Sequence, residues 1–168
     1  MTQVLEYTLA DWSNHRDCET VVALLQDYAL HTMGGGEPLG DFAAKNLPKA
    51  MAAMPGAFSI IGWHGAEAQE RNAVALANCF TTLSTFACKP LINIHDLYVA
   101  ESARGQGAGQ AMLGFVEEQA RLRGCCKVTL EVLTGNTKAL DAYERFGFER
   151  YMMSDDTGYA LFMHKKLT

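Results

Sequence analysis

The run Arg104-Gly105-Gln106-Gly107-Ala108-Gly109 offers the clearest chemistry in the chain. Three glycines in five positions leave the backbone bare, so its N–H groups can close on an anion. The residues that follow read as a helix, whose first turn adds unpaired N–H groups and the positive end of its dipole. Arg104 brings a full charge to the mouth of that turn. A strand-to-helix loop of this kind suits a phosphate or pyrophosphate. The same glycines also serve a plainer use, a tight turn. Two other phosphate loops do not fit. A dinucleotide fingerprint needs G-x-G-x-x-G. Counted from Gly105 its last position is Gln110, and from Gly107 it is Met112. That fingerprint also belongs to an opening βαβ unit, and this loop lies past the middle of the chain. A P-loop needs G-K-[ST] after four intervening residues, and the sequence has none.

A second polar point, His95-Asp96, interrupts an apolar strand. Ile92 and Ile94 share one parity, and Leu97 and Val99 share the other. A β-bulge between them would produce the switch. A strand buried on both faces would produce it too.

The elements that must carry these residues follow from periodicity. Val4–Leu9 reads as a first strand, and Asp17–Leu30 as a helix with Val21, Val22, Leu24, Leu25 and Tyr28 on its apolar face. The segment His31–Asp41, with Gly34-Gly35-Gly36 and Pro38, reads as a loop. A helix over Phe42–Ala53 stops at Pro55-Gly56. Strands Ala57–His64 and Ala73–Thr82 follow, joined by the polar turn Gly65–Asn72. Then come a strand Leu91–Val99, a helix Gly105–Arg123, a strand Lys127–Leu133, a helix Asn136–Phe146 ended at Gly147, and a last strand Gly158–Leu167. In the long helix Ala108, Ala111, Met112, Phe115, Val116 and Ala120 keep one face apolar, as a crossover helix on a sheet requires. Strand–helix–strand implies one parallel pair with a right-handed crossover. Short turns make the earlier strands antiparallel. The expected class is α/β, a mixed and mostly antiparallel sheet.

R-x-x-G-x-G, here Arg104, Gly107 and Gly109, resembles the pyrophosphate loop of the GNAT superfamily of N-acetyltransferases. The resemblance extends upstream to Ile94-His95-Asp96-Leu97-Tyr98-Val99, which looks like the family's central strand. Downstream it takes in Asn136, Ala139, Tyr143 and Gly147-Phe148, which look like its N-x-x-A-x-x-x-Y and terminal G-F pattern. It implies acetyl-CoA as cosubstrate, a parallel strand pair that splays apart over it, and helices on both faces of the sheet. It also implies that Arg104, Gly105, Gln106, Gly107, Ala108 and Gly109 hold the pyrophosphate, that backbone groups of Leu97, Tyr98 and Val99 bind the pantetheine arm, and that one N–H polarises the acetyl carbonyl. Asn136 would bind coenzyme A, cap its helix, or do both. Tyr143 would be the general acid to the leaving thiolate, against the alternative of a core tyrosine between Leu140 and Phe146.

His95 and Asp96 stand where the family's polyamine-acetylating branch has an adjacent Glu-Asp pair. Imidazoles titrate near ~6.5, so His95 suits a base or water relay, and Asp96 would hold a cationic amine. A buried, hydrogen-bonded histidine is the competing reading, and Glu131 is a weaker candidate for the base. Consecutive strand residues face opposite ways, so without a bulge only one of the pair reaches the cleft. Acetylation of a protein or peptide amine, and a non-catalytic acetyl-CoA-binding module, are the rival functions.

Bulk properties narrow the partners. With 168 residues, 49% hydrophobic and 20% charged, the chain is expected to form one globular domain over 1–168. A net charge of -5 without a block of like charges points away from nucleic acid and toward a small cationic amine. No apolar run approaches the ~20 residues that span a bilayer, and Met1-Thr2-Gln3-Val4 does not read as a signal peptide. Five cysteines without a C-x-x-C pair fit a reducing cytoplasm. The histidines at 15, 31, 64, 95 and 164 show no metal-ligand spacing, so no metal is expected. The family resemblance adds a possible homodimer.

Overall fold

The computed structural model describes residues 5–65 and 71–167. Val4 of the expected first strand and residues 66–70 of the expected turn lie outside them. By its internal contacts the chain divides into two units, Met1–Leu130 and Glu131–Thr168.

The first unit is a five-stranded sheet in sequential order: β1 (Leu5–Leu9), β2 (Ala57–His64), β3 (Asn72–Ser84), β4 (Lys89–Val99) and β5 (Val128–Leu130). The first three pairings are antiparallel, and β4 with β5 is parallel. Helices α1 (His15–Leu30) and α2 (Asp41–Ala53) fall between β1 and β2, and α3 (Ala108–Leu122) links β4 to β5. Helix α1 begins two residues before the expected Asp17. The Asn14 side chain accepts the Arg16 N–H at 2.9 Å and sets the start there.

Opposite faces of the sheet hold opposite helices. Val21 and Leu24 of α1 pack with Ile61, Trp63 and Leu76, all buried. The next residue along β2, Gly62, faces the other way, where Tyr7 lies against α3. The Tyr7 hydroxyl donates to the Ala108 carbonyl at 2.8 Å, and its ring centroid is 6.2 Å from that of Phe115. A Cβ on Gly62 would come within 2.9 Å of both the Tyr7 ring and the Ala75 Cβ. Glycine there lets the tyrosine ring lie flat on the sheet. Helix α3 buries Ala108, Met112, Val116 and Ala120, the four-residue spacing of a single stripe.

The parallel pair is short. Only Ile92, Asn93 and Ile94 meet β5, at Val128, Thr129 and Leu130. The strand expected over Lys127–Leu133 therefore ends three residues early. A bulge in β4 follows the last pair directly, and bulges bend a strand and stop its pairing. Beyond it β4 runs on to Val99 without β5, which is the splay that the family resemblance implies.

The second unit holds α4 (Thr137–Phe146). The Asn136 side chain accepts the Ala139 N–H at 3.3 Å, so this residue is the cap and not the first helical residue. The strand expected over Gly158–Leu167 does not form. Among the described residues its pairing is one bridge, Met152 to Tyr159, with the Ala160 N–H on the Tyr151 carbonyl, and Leu161, Phe162 and Met163 remain exposed. Alternating apolar residues suit a strand, but so short a pair gives too few ladder bonds to hold one.

Candidate functional site

The glycine loop opens at the end of β4. After a short 3₁₀ turn, Glu101–Ala103, Arg104 folds back and its Nε donates to the Val99 carbonyl at 2.9 Å. Gly105 (φ 74°) and Gly107 (φ 84°) both take left-handed backbone, which disfavours any side chain. These two angles keep the loop out of the helix, so α3 starts at Ala108 and not at the expected Gly105. Gly107 occupies the cap position with no side-chain hydrogen bond to the first turn, and that turn has no acidic residue. Gln106 turns away and donates to the Ser102 carbonyl at 2.8 Å. Ala108 is buried, and Gly109 sits where a Cβ would only touch Val99, at 3.8 Å. A helix N-terminus without a side-chain cap, behind two glycines and beside a guanidinium, fits a pyrophosphate.

The edge of β4 beyond Ile94 supplies the next set of groups. The Ala100 N–H donates to the Val74 carbonyl at 2.8 Å, and alternate residues of an antiparallel strand face the same neighbour. Tyr98 therefore turns its backbone groups toward β3. Leu97 and Val99 turn theirs to the opposite edge, where the Val99 carbonyl meets Arg104. Of the three expected pantetheine contacts, these two have backbone groups aimed away from β3. Tyr98 contributes a ring instead.

The interruption at His95 is a bulge. Asn78 pairs with Asp96 and the next residue, Cys79, pairs with Ile94, so His95 is the extra residue on β4. The His95 ring packs edge-on against Phe80, centroids 5.4 Å apart. Asp96 accepts a hydrogen bond from Asn78 Nδ2 at 3.0 Å. Phe80 and Asn78 are two apart on β3 and share a face. The bulge thus brings the consecutive residues His95 and Asp96 to one face, the one that α1 covers. His95 Nδ1 is 3.4 Å from Asn93 Oδ1, and Asn93 Nδ2 donates to Thr129 Oγ1 at 3.2 Å. An amide oxygen only accepts, so this contact fits the tautomer with the proton on Nδ1 and the lone pair on Nε2.

Two tyrosines complete this face. The rings of Tyr28 on α1 and Tyr98 on β4 are 6.0 Å apart. Burial pushes the Tyr28 phenol up, and the Asp96 charge adds to it. Burial also raises Tyr98, with Asp27 adding to the rise and Arg104 opposing it. A carboxylate with aromatic faces beside it suits an organic cation. Sequence reading did not single out Tyr28 for chemistry, and it missed Asn78 and Ser59 altogether. Their one signal is a polar side chain in the apolar runs of β2 and β3.

In the second unit, Tyr143 is half-buried on α4 and Phe148 lies edge-on to it, centroids 5.8 Å apart. The N–H groups of Gly147 and Phe148 bond to the Glu144 and Tyr143 carbonyls around a left-handed Gly147. This is a glycine helix stop, with Phe148 packed back over Tyr143 in the last turn. The Gly-Phe pair thus has a structural use of its own. Glu131 falls just past β5 and is exposed. Among the described residues no cluster of three or more His, Cys, Asp or Glu could hold a metal ion, and no helix is long and apolar enough to cross a membrane.

Known proteins share this fold. The family model described as Acetyltransferase (GNAT) family matches residues 41–148. Streptothricin acetyltransferase of Streptomyces lavendulae is 29% identical over 144 residues, 79% of this chain and 76% of that protein. Thialysine N-epsilon-acetyltransferase of Bos taurus is 39% identical over 56 residues, a third (33%) of each chain. Among solved structures, an acetyltransferase of Trypanosoma brucei superposes with a TM-score of 0.63 at 26% identity, over 90% of this chain and 99% of that one. An aminoglycoside N-acetyltransferase solved with coenzyme A shares the fold, with a TM-score of 0.72 at 16% identity over 99% and 98% of the two chains.

Proposed function

Because the chain belongs to the GNAT acetyltransferase family, and so is an acetyl-CoA-dependent N-acetyltransferase, we propose that it acetylates a primary amine of a small molecule by direct attack in a ternary complex. One observation carries this reading: the bulge at His95 sets an imidazole and a carboxylate side by side on one face of the strand whose other groups line the splay. Acetyl-CoA supplies an acyl group already activated as a thioester. Arg104 and the backbone of Gly105–Gly109 would hold its pyrophosphate, and the outward backbone groups of Leu97 and Val99 its arm. An N–H of that pair would face the acetyl oxygen, where negative charge grows as the bond forms.

Asp96 binds the acceptor as an ammonium. His95 Nε2 takes one proton from it, directly or through a water. The freed nitrogen forms a bond to the acetyl carbon as the carbon–sulfur bond breaks; it then sheds its second proton to solvent, which balances the proton that the departing sulfur takes. Tyr143 is assigned that proton on the family's N-x-x-A-x-x-x-Y pattern alone. The acceptor class is supported by relatives named for streptothricin and thialysine and by the net charge of -5. A homodimer and a cytoplasmic location belong to the same reading; sedimentation velocity tests the first.

The test is release of free thiol from acetyl-CoA with 1,5-diaminopentane, lysine, streptothricin or kanamycin, against a lysine-bearing peptide. Turnover with at least one small amine is expected. Turnover with the peptide alone would overturn the substrate class, and none with any amine would overturn the catalytic reading.

A further inference from the structure

We propose that Asn78, backed by Ser59, is the positioning residue that holds the Asp96 carboxylate where the acceptor amine binds; the inference rests on the acceptor role given to Asp96 above. Ser59, Asn78 and Asp96 stand opposite one another on β2, β3 and β4. Ser59 is fully buried and Asn78 is 2% exposed. Ser59 Oγ lies 2.5 Å from Asn78 Oδ1, and Asn78 Nδ2 lies 3.0 Å from Asp96 Oδ2. Chemistry fixes the direction of this chain. An ionised carboxylate only accepts, so the amide must present its NH₂ to Asp96 and its oxygen to a donor. The Ser59 hydroxyl is that donor.

The arrangement is a costly way to fill a core. Ile61 and Leu76, two residues further along the same face, are apolar and fully buried. Burying an amide and a hydroxyl in that stripe is unfavourable unless each finds a partner, and an apolar pair would pack there without that demand. The chain of bonds ends on the carboxylate of Asp96, at its Oδ2. The register shift of the bulge falls between Asn78 and Cys79. The residue that marks the bulge on β3 is therefore the residue that grips the carboxylate on β4. Asn78 touches no reacting atom in this account. It acts through Asp96.

A double-mutant cycle tests this, because a residue acting through another loses its effect once that partner is gone. The probe is whichever of 1,5-diaminopentane, lysine, streptothricin and kanamycin the wild-type chain acetylates fastest, with acetyl-CoA saturating. Asn78→Leu should raise the amine KM about tenfold, the order expected for a lost charge-assisted hydrogen bond, with the acetyl-CoA KM unchanged. In an Asp96→Asn background the same substitution should leave the amine KM where it stands. Ser59→Ala, a milder change, should follow the pattern with a smaller rise and keeps the test available where Asn78→Leu folds poorly. Equal rises in both backgrounds would overturn the positioning role while leaving Asp96 as the amine site. An unchanged amine KM in Asp96→Asn itself would overturn the acceptor role of Asp96, and this inference with it.

Discussion

At Tyr143 the ring and the hydroxyl answer to different forces. The ring takes the hydrophobic contact of the α4 stop, packed against Phe148, so its apolar part has work whatever the hydroxyl does. Tyr143→Phe removes the oxygen alone. If the phenol protonates the leaving sulfur, the single-turnover rate should fall ~10²–10⁴-fold, while acetyl-CoA affinity and the melting temperature barely move. A hydroxyl with a structural task gives the reverse, stability lower by ~1 kcal/mol and near-normal turnover per folded molecule. That result would end the general-acid assignment and leave the family membership untouched. Cys79 makes a separate point about burial. Its desolvated thiol is pushed up to about 12, so it stays protonated at pH 8. Iodoacetamide on the native chain should modify exposed Cys88 and Cys126 and spare Cys79; labelling of Cys79 at the rate of those two would contradict its burial. Because the raised value belongs to the folded state, this group's contribution is constant below the ordinary thiol range near ~8.5. It falls as pH rises from there toward about 12, where the unfolded chain ionises first.

The elements place these residues through two local features. The first is the left-handed turn before α3. A Cβ on Gly107 would meet no protein atom within 4 Å, so substitution there strains the backbone without a clash. Gly107→Val should weaken acetyl-CoA binding, and calorimetric titration of the folded variant checks it; an unchanged affinity would take the loop out of the site. The second is the β4 bulge, and it was half legible. The parity switch between Ile94 and Leu97 pointed to it, but a strand buried on both faces would read the same, and only the pairing with Asn78 and Cys79 decides. The length of β5 was not legible, because β4 ends that pairing from outside the strand's own sequence. Gly62 was silent as well, since its reason is a ring that arrives from β1. Gly62→Ala should cost ~1–3 kcal/mol in thermal unfolding, through contact with the Tyr7 ring; a melting temperature equal to wild type would show that Tyr7 can move aside.

Across the molecule, what reads from sequence is what nearby residues specify among themselves. The glycine loop, the apolar stripe of α3 and the Asn136 cap are of this kind, and each is found. What does not read is what distant strands assemble. The Ser59–Asn78–Asp96 chain spans 37 positions of sequence and three strands of the sheet, with no local pattern to announce it. The misjudged last strand, Gly158–Leu167, shows the converse: its alternation is local, and a strand needs a neighbour as well. The family match runs from residue 41 to 148 and includes every catalytic candidate, so the central claim falls on the pair at the bulge. The direct measurement is kcat and amine KM for His95→Gln at saturating acetyl-CoA, with coenzyme A affinity taken on the same preparation. The account predicts a fall in kcat of ~10²-fold or more with coenzyme A binding intact; a kcat near wild type would contradict it and return His95 to a packing role against Phe80.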